Sequence, residues 1–228
     1  MRGRCFAAFA LGAVGVLGFA PVGWFPLEWL SLGGLFALLV READGERRTL
    51  PATLIAAAFG FGLFLAGVSW VYVSLSVFGG MPMPLAGMAT ILFCAVLALF
   101  PAATGALFVY LAPPSWWRRC LLFAAVWTLF EWCRGWAFTG FPWLAAGYSQ
   151  TPPSPLAGYA PLVGVYGVSL LSALVGANLF EFGRRRRSTA ACRERGWQRW
   201  RPIPPLLAIG LILAGGLLLR EARWTQAT

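Results

Sequence analysis

Apolar residues run through this 228-residue chain in seven blocks, covering residues 5–20, 25–40, 52–77, 84–112, 119–138, 156–182 and 203–219. A helix needs about 20 residues to cross a hydrocarbon core about 30 Å thick, and backbone in lipid must satisfy its own hydrogen bonds, so each block predicts a membrane-crossing helix. The first two blocks are short and joined by "PVGWFP", Pro21 to Pro26, which predicts a tight hairpin with Trp24 and Phe25 at the membrane interface. The third block carries Gly60, Gly62, Ala66 and Gly67, small residues that predict close approach of a neighbouring helix.

Composition agrees with an all-α integral membrane protein: 59% of residues are hydrophobic, 11% are charged, and the mean hydropathy is +0.72. The formal charge of +10 adds a direction. Arg2 and Arg4, then Arg41, Arg47 and Arg48, then Arg118 and Arg119, and the cluster from Arg184 to Arg201 hold 15 of the 18 basic residues. With seven crossings these four places share one side. The positive-inside rule then predicts a cytoplasmic N-terminus and a periplasmic C-terminus. Because the arginines sit between apolar blocks and do not line one polar face, they argue for membrane topology and against nucleic acid. The start, "MRGRCFAAFALGAVGVLGFAP", has the basic and apolar regions of a signal peptide, but bulky residues and prolines follow where cleavage would occur, so it reads as an uncleaved first helix.

Residue usage also removes chemistry. Every basic residue is arginine; Lys and His are absent, so this stretch alone builds no Ser-His-Asp or Cys-His nucleophile, no Schiff-base lysine and no His-ligated metal site. Cys5, Cys94, Cys120, Cys133 and Cys192 are scattered with no C-x-x-C pair, and read as small apolar fillers or inert thiols. No catalytic residue, metal or cofactor is predicted.

One stretch asks for an explanation: "EWCRGWAFTGFPWLAAGYSQ", Glu131 to Gln150. Charged side chains in a membrane helix are costly and mark candidate sites by default. Glu131 and Arg134 are three apart, share a helix face and are expected to pair. Trp136, Phe141, Pro142, Trp143, Tyr148 and Gln150 follow, and together they predict an amphipathic pocket wall. An arginine beside aromatic faces suits a phosphate or carboxylate head group with apolar chains below. The Gly/Pro-rich "SVFGGMPMP" is of the same kind, with Tyr72, Phe78, Gly79 and Gly80 as the expected opposing wall.

These residues carry a family resemblance. "GFGLFLAGVSWVYVSLSVFGGMP" (Gly60 to Pro82) and the Glu131–Gln150 stretch resemble the membrane part of bacterial apolipoprotein N-acyltransferase. "LGFAPVGWFPLEWLSL" (Leu17 to Leu32) and "PLAGYAPLVGVYGVSLL" (Pro155 to Leu171) are similar to the same family in the same order. The resemblance implies an inner-membrane enzyme that moves an acyl chain from a phospholipid to the α-amino group of a diacylglyceryl-modified lipoprotein cysteine. It also implies a periplasmic nitrilase-like domain, inserted before a last helix, with a Glu-Lys-Cys triad whose cysteine is acylated as a thioester. Here residues 1–220 match the membrane domain and 221–228 the start of a linker, while the triad has no counterpart. The expectation is a truncated or split polypeptide that binds phospholipid and lipoprotein and needs a nitrilase-like domain in trans. The alternatives are a non-catalytic lipid-binding scaffold or relic and, more weakly, a transporter, for which the chain lacks an internal repeat of its hydropathy pattern.

Overall fold

The structure, a computed structural model, describes residues 1–45, 49–191 and 203–221. Arg47, Arg48, the part of the basic cluster from Arg193 to Arg201, Cys192 and the 222–228 stretch lie outside the described residues. Every regular element among the described residues is a helix. They are α1 (Arg2–Gly15), α2 (Phe25–Asp44), α3 (Thr49–Gly67), α4 (Trp70–Val73), α5 (Met83–Leu97), α6 (Leu99–Leu111), α7 (Trp116–Arg134), α8 (Ala160–Ala191) and α9 (Ile203–Arg220). Short 3-10 turns and one π-helical turn, Ser74–Phe78, connect them.

Helices fall in all seven apolar blocks, and several blocks are divided, the 156–182 block by a non-helical residue at Gly164, φ 63°. The 52–77 block ends as a helix at Gly67, where a side chain would collide with Leu144, and restarts as α4. The 84–112 block is interrupted at Ala98, three residues before Pro101, because proline lacks an N–H for the carbonyl of Leu97 and its ring crowds that group. Four helical stretches among the described residues are long and apolar enough to cross a membrane: Thr49–Gly67, Met83–Leu111, Pro155–Arg187 and Ile203–Arg220. By contrast, α1 has 14 residues, α2 contains Glu28, Arg41, Glu42 and Asp44, and α7 contains Arg118, Arg119, Glu131 and Arg134.

Close backbone contact assembles the bundle, as expected where lipid removes the hydrophobic drive between helices and van der Waals packing must replace it. A Cβ on Gly12 of α1 would lie 2.0 Å from the carbonyl oxygen of Phe59, and one on Gly62 of α3 would lie 2.2 Å from that of Phe9. Of the predicted small-residue stripe, Gly62 faces α1, Gly60 faces Pro101 of α6, and Ala66 is exposed. Between α2, α3, α6 and α7 lies a buried aromatic cluster. Phe36 meets Phe123 at 5.3 Å and Phe108 at 5.8 Å between ring centroids, and Trp127 meets Phe59 edge-on at 5.8 Å. Each such pair contributes about 0.5–1.5 kcal/mol beyond its buried area. Phe6, Met88, Leu92, Leu99, Leu211 and Leu218 stay exposed, an outer surface suited to acyl chains.

The two ends of the bundle differ in chemistry. At one, Arg4 pairs with Glu42, Arg119 with Asp44 at 2.5 Å, and the Arg185 guanidinium lies 4.4 Å from the Trp116 ring centroid. The described basic places therefore do meet on one end. At the other, Arg220 of α9 donates to the Pro153 carbonyl at 3.1 Å and the Tyr159 hydroxyl to that of Ile212 at 2.9 Å. That end carries the 135–159 segment.

Candidate functional site

The last turn of α7 carries both charges of the Glu131–Gln150 stretch into the protein interior: Glu131 is 5% exposed and Arg134 2%. They do not form the direct ion pair expected from their spacing. A helical side chain leans toward the N-terminus, and the Glu131 carboxylate accordingly reaches one turn back, where its Oε1 accepts from Trp127 Nε1 at 2.9 Å. The same oxygen accepts from the Ala146 amide at 2.8 Å. Arg134 instead extends past the helix end, and its Nη1 donates to the carbonyls of Phe141 at 2.6 Å and Trp143 at 2.5 Å. Its guanidinium also lies 5.0 Å from the Phe64 ring centroid. Buried charge is tolerated only with hydrogen bonds: Arg134 obtains both of its bonds from the loop, and Glu131 one from the loop and one from its own helix, with Oε2 left unpartnered.

The loop's backbone is bent to accept these contacts. Phe138, Thr139 and Leu144 have φ of 52°, 78° and 58°, in the left-handed region that disfavours side chains. Gly140 has φ 82°, and a Cβ there would lie 2.2 Å from the Gly135 carbonyl oxygen. Three non-glycine residues held this way indicate surroundings that over-determine the conformation, a feature concentrated at functional sites. The Phe141 amide donates back to Arg134 O at 2.8 Å, and Gly147 N donates to Ser169 Oγ of α8 at 2.8 Å, so the loop is fixed to two helices.

What this anchoring presents is a groove of about 390 Å³ lined by Phe19, Ala20, Pro142, Trp143, Leu144 and Tyr148. Trp143 is 52% exposed, and Tyr148 is exposed as well. By contrast, the cavity bordering Glu131 and Arg134 holds only about 10 Å³, too little for a head group. Of the other predicted residues, Phe141 packs edge-on against Phe93 at 5.0 Å, and Trp136 is exposed and meets Trp132 edge-on at 5.4 Å. Gln150 is buried, donating to Ser149 Oγ and accepting from Ser154 Oγ, both at 2.7 Å.

Tyr72, Phe78, Gly79 and Gly80 do not line that groove. Tyr72 is half-buried, and Phe78, Gly79 and Gly80 are exposed. The ring contacts from that region run through Trp70, 5.6 Å from the Trp143 ring, and through Phe93 of α5. Sequence reasoning also passed over Phe19 and Ala20, although "GFAPVGWFP" has the same Gly/Pro/aromatic chemistry as "GFPW". A further omission is Glu28, the single acid in the first half of α2. It is fully buried, Gly15 and Gly18 pack against it, and its Oε2 has no hydrogen-bond partner. Among the described residues no three His, Cys, Asp or Glu side chains group as a metal site requires.

Comparison with known proteins gives this geometry a context. Residues 11–178 match the family described as Apolipoprotein N-acyltransferase N-terminal domain. A Nitrosomonas europaea protein named Apolipoprotein N-acyltransferase is 45% identical over 223 residues, covering 98% of this chain and 41% of that protein. Proteins of the same name from Ralstonia nicotianae (42% identical; 96% of this chain, 39% of the relative) and Shewanella oneidensis (41% identical; 81% and 35%) are similar too. The chain thus spans about two-fifths of the length of the curated relatives it matches.

Proposed function

Since this chain belongs to the apolipoprotein N-acyltransferase family, through that family's N-terminal domain, we propose that it is the membrane platform that holds lipid substrates for acyl transfer onto lipoproteins. One observation carries the reading: the 390 Å³ groove between Phe19–Ala20 and Pro142–Trp143–Leu144–Tyr148, hydrocarbon-lined yet edged by two amphipathic rings. Such rings favour the membrane interface, where one end meets acyl chains and the other water. An acyl chain of the phospholipid or of the diacylglyceryl-lipoprotein lies along Pro142 and Leu144, with Trp143 and Tyr148 at its head. Glu131 and Arg134 act behind this surface as positioning residues: they fix the loop and do not touch the lipid. Tyr72, Phe78, Gly79 and Gly80 flank the entrance.

In this reading residues 1–220 are the membrane domain of a bacterial inner-membrane protein with seven crossings, and 221–228 begin the connection to a nitrilase-like domain. The arginine-bearing end faces the cytoplasm, as the positive-inside rule requires, which puts the groove at the periplasmic leaflet. The bond-making steps belong to the nitrilase-like domain, joined to this chain or supplied as a separate subunit. There a cysteine takes the acyl group from the phospholipid as a thioester, releasing the lysophospholipid, and the lipoprotein α-amino group displaces the cysteine to form the amide.

The test is complementation. The chain is expressed in cells depleted of their own N-acyltransferase, with and without a nitrilase-like domain, and the lipoprotein N-terminus is followed by mass spectrometry. Triacylated product only with both pieces is the expected result. Its absence in the combined case, with both proteins present in the membrane, overturns the assignment.

A further inference from the structure

We infer that the seam between α2 and α8 is a binding site for an anionic phospholipid, at the end of the bundle opposite the Trp143 groove. It is separate from the acyl-transfer reading and uses none of its residues.

Its position follows from how the two helices run. They touch at backbone level where Gly33 meets Gly176: a Cβ on Gly33 would lie 2.5 Å from the Gly176 carbonyl oxygen. Arg41 shares a groove with Arg184 and Arg187, one helical stretch further along both, so α2 and α8 run side by side in the same direction. That groove has a volume of about 320 Å³ and an apolar floor of Ala37, Val40, Leu179 and Phe180. A second groove of about 330 Å³, which reaches Trp29 and Leu30, shares Leu179 and Phe180 with it. Leu30, Gly34, Ala37 and Arg41 are spaced four, three and four apart, which places them in one row on α2. From Leu30 to Arg41 the row rises about 16 Å, about the depth of one hydrocarbon leaflet.

The charge at the mouth is unbalanced. Asp44 is paired with Arg119, and Arg184 forms a two-point contact with Glu181 at 2.8 and 2.7 Å. Arg41 and Arg187 are exposed, with no carboxylate partner among the described residues. Two uncompensated guanidiniums above a leaflet-deep hydrocarbon seam complement a ligand with a phosphate and extra negative charge at one end and an acyl chain at the other. A free phosphate satisfies the mouth and leaves the floor unused. A neutral phospholipid satisfies the floor and leaves the mouth uncompensated.

The experiment is native mass spectrometry of the intact chain in neutral detergent, offered phosphatidylglycerol or phosphatidylcholine. The expected result is preferential retention of phosphatidylglycerol, reduced about tenfold by Arg41→Gln with Arg187→Gln. Arg2→Gln with Arg118→Gln, the same charge change at the same end, leaves the preference intact, and millimolar glycerol phosphate does not displace the lipid. Equal retention of phosphatidylcholine, an unaffected Arg41→Gln/Arg187→Gln variant, an equal loss in the Arg2→Gln/Arg118→Gln control, or displacement by glycerol phosphate each overturns the site. Both double variants change exposed side chains, and a thermal melt of each verifies the fold.

Discussion

Arg134 donates to the main-chain carbonyl of Trp143 at 2.5 Å, so a buried helical charge sets the position of an exposed aromatic nine residues later. The guanidinium serves the loop's backbone, and the loop's side chains are left free to face the groove.

Replacing Arg134 with Met keeps much of its apolar stem and removes both donors. The carbonyls of Phe141 and Trp143 lose a charge-assisted partner, with a loss of about 2–4 kcal/mol. The expected readout is faster amide exchange across 138–147 with α3 and α6 unchanged. Exchange at wild-type rates in that loop would contradict the role given to Arg134.

Glu131 accepts through one oxygen from Trp127 and Ala146. Glu131→Gln retains a carbonyl oxygen for both donors, whereas Glu131→Ala leaves them unpaired inside the protein. Unfolding in detergent is expected to show a loss of about 1 kcal/mol for Gln and about 3 kcal/mol for Ala. Equal losses for the two would mean that the negative charge, and not the acceptor, matters.

At Trp143 the expectation reverses. The side chain is half exposed and its ring contacts, with Trp70 at 5.6 Å and Phe141 at 6.5 Å between centroids, are few, so Trp143→Ala moves the melting midpoint by about 2–4 °C or less. In a context where acyl transfer works, the same change lowers triacylated lipoprotein about tenfold or more, through the Michaelis constant first. A variant that melts normally and acylates normally removes the groove from the substrate path.

Gly62→Leu is expected to prevent α1 from docking on α3, because backbone atoms of Phe9 already occupy the space its side chain needs. A loss of more than about 3 kcal/mol follows. Gly87→Leu, where nothing lies within 4 Å, is the matched control and stays within about 0.5 kcal/mol. Comparable melting of the two variants would show that the α1–α3 contact does not hold the bundle together.

The helical membrane fold was legible in the hydropathy pattern because apolar length is a one-dimensional signal. Gly60 and Gly62 announced close packing for the same reason: a missing side chain is visible in sequence. The divided blocks were less visible, since Pro101 and Gly67 interrupt helices without interrupting the apolar run. At the site, Glu131 and Arg134 stood out as charges in an apolar run, but their partners were misread. Helix spacing reports which side chains are neighbours; it does not report that a returning loop offers better-placed carbonyls and an amide. Phe19 and Ala20 reach the groove only through tertiary folding, from more than a hundred residues upstream of Trp143. Glu28 could have been found by the reasoning that found Glu131, a lone carboxylate between apolar neighbours.

Helix α2 starts six residues after Phe19, at the groove, and ends at Arg41 and Asp44, among the arginines. Its 20 residues measure about 30 Å, the thickness of one hydrocarbon core. The helix is thus a ruler that fixes the distance between the aromatic end and the basic end. With α2 as one of the proposed seven crossings, a bilayer thicker by several Å must thin locally around it or pull one of those ends off its interface. In the proposed placement bilayer thickness becomes a variable that the groove feels directly: lengthening the lipid tails draws Trp143 and Tyr148 below the head groups that the proposal has them meet.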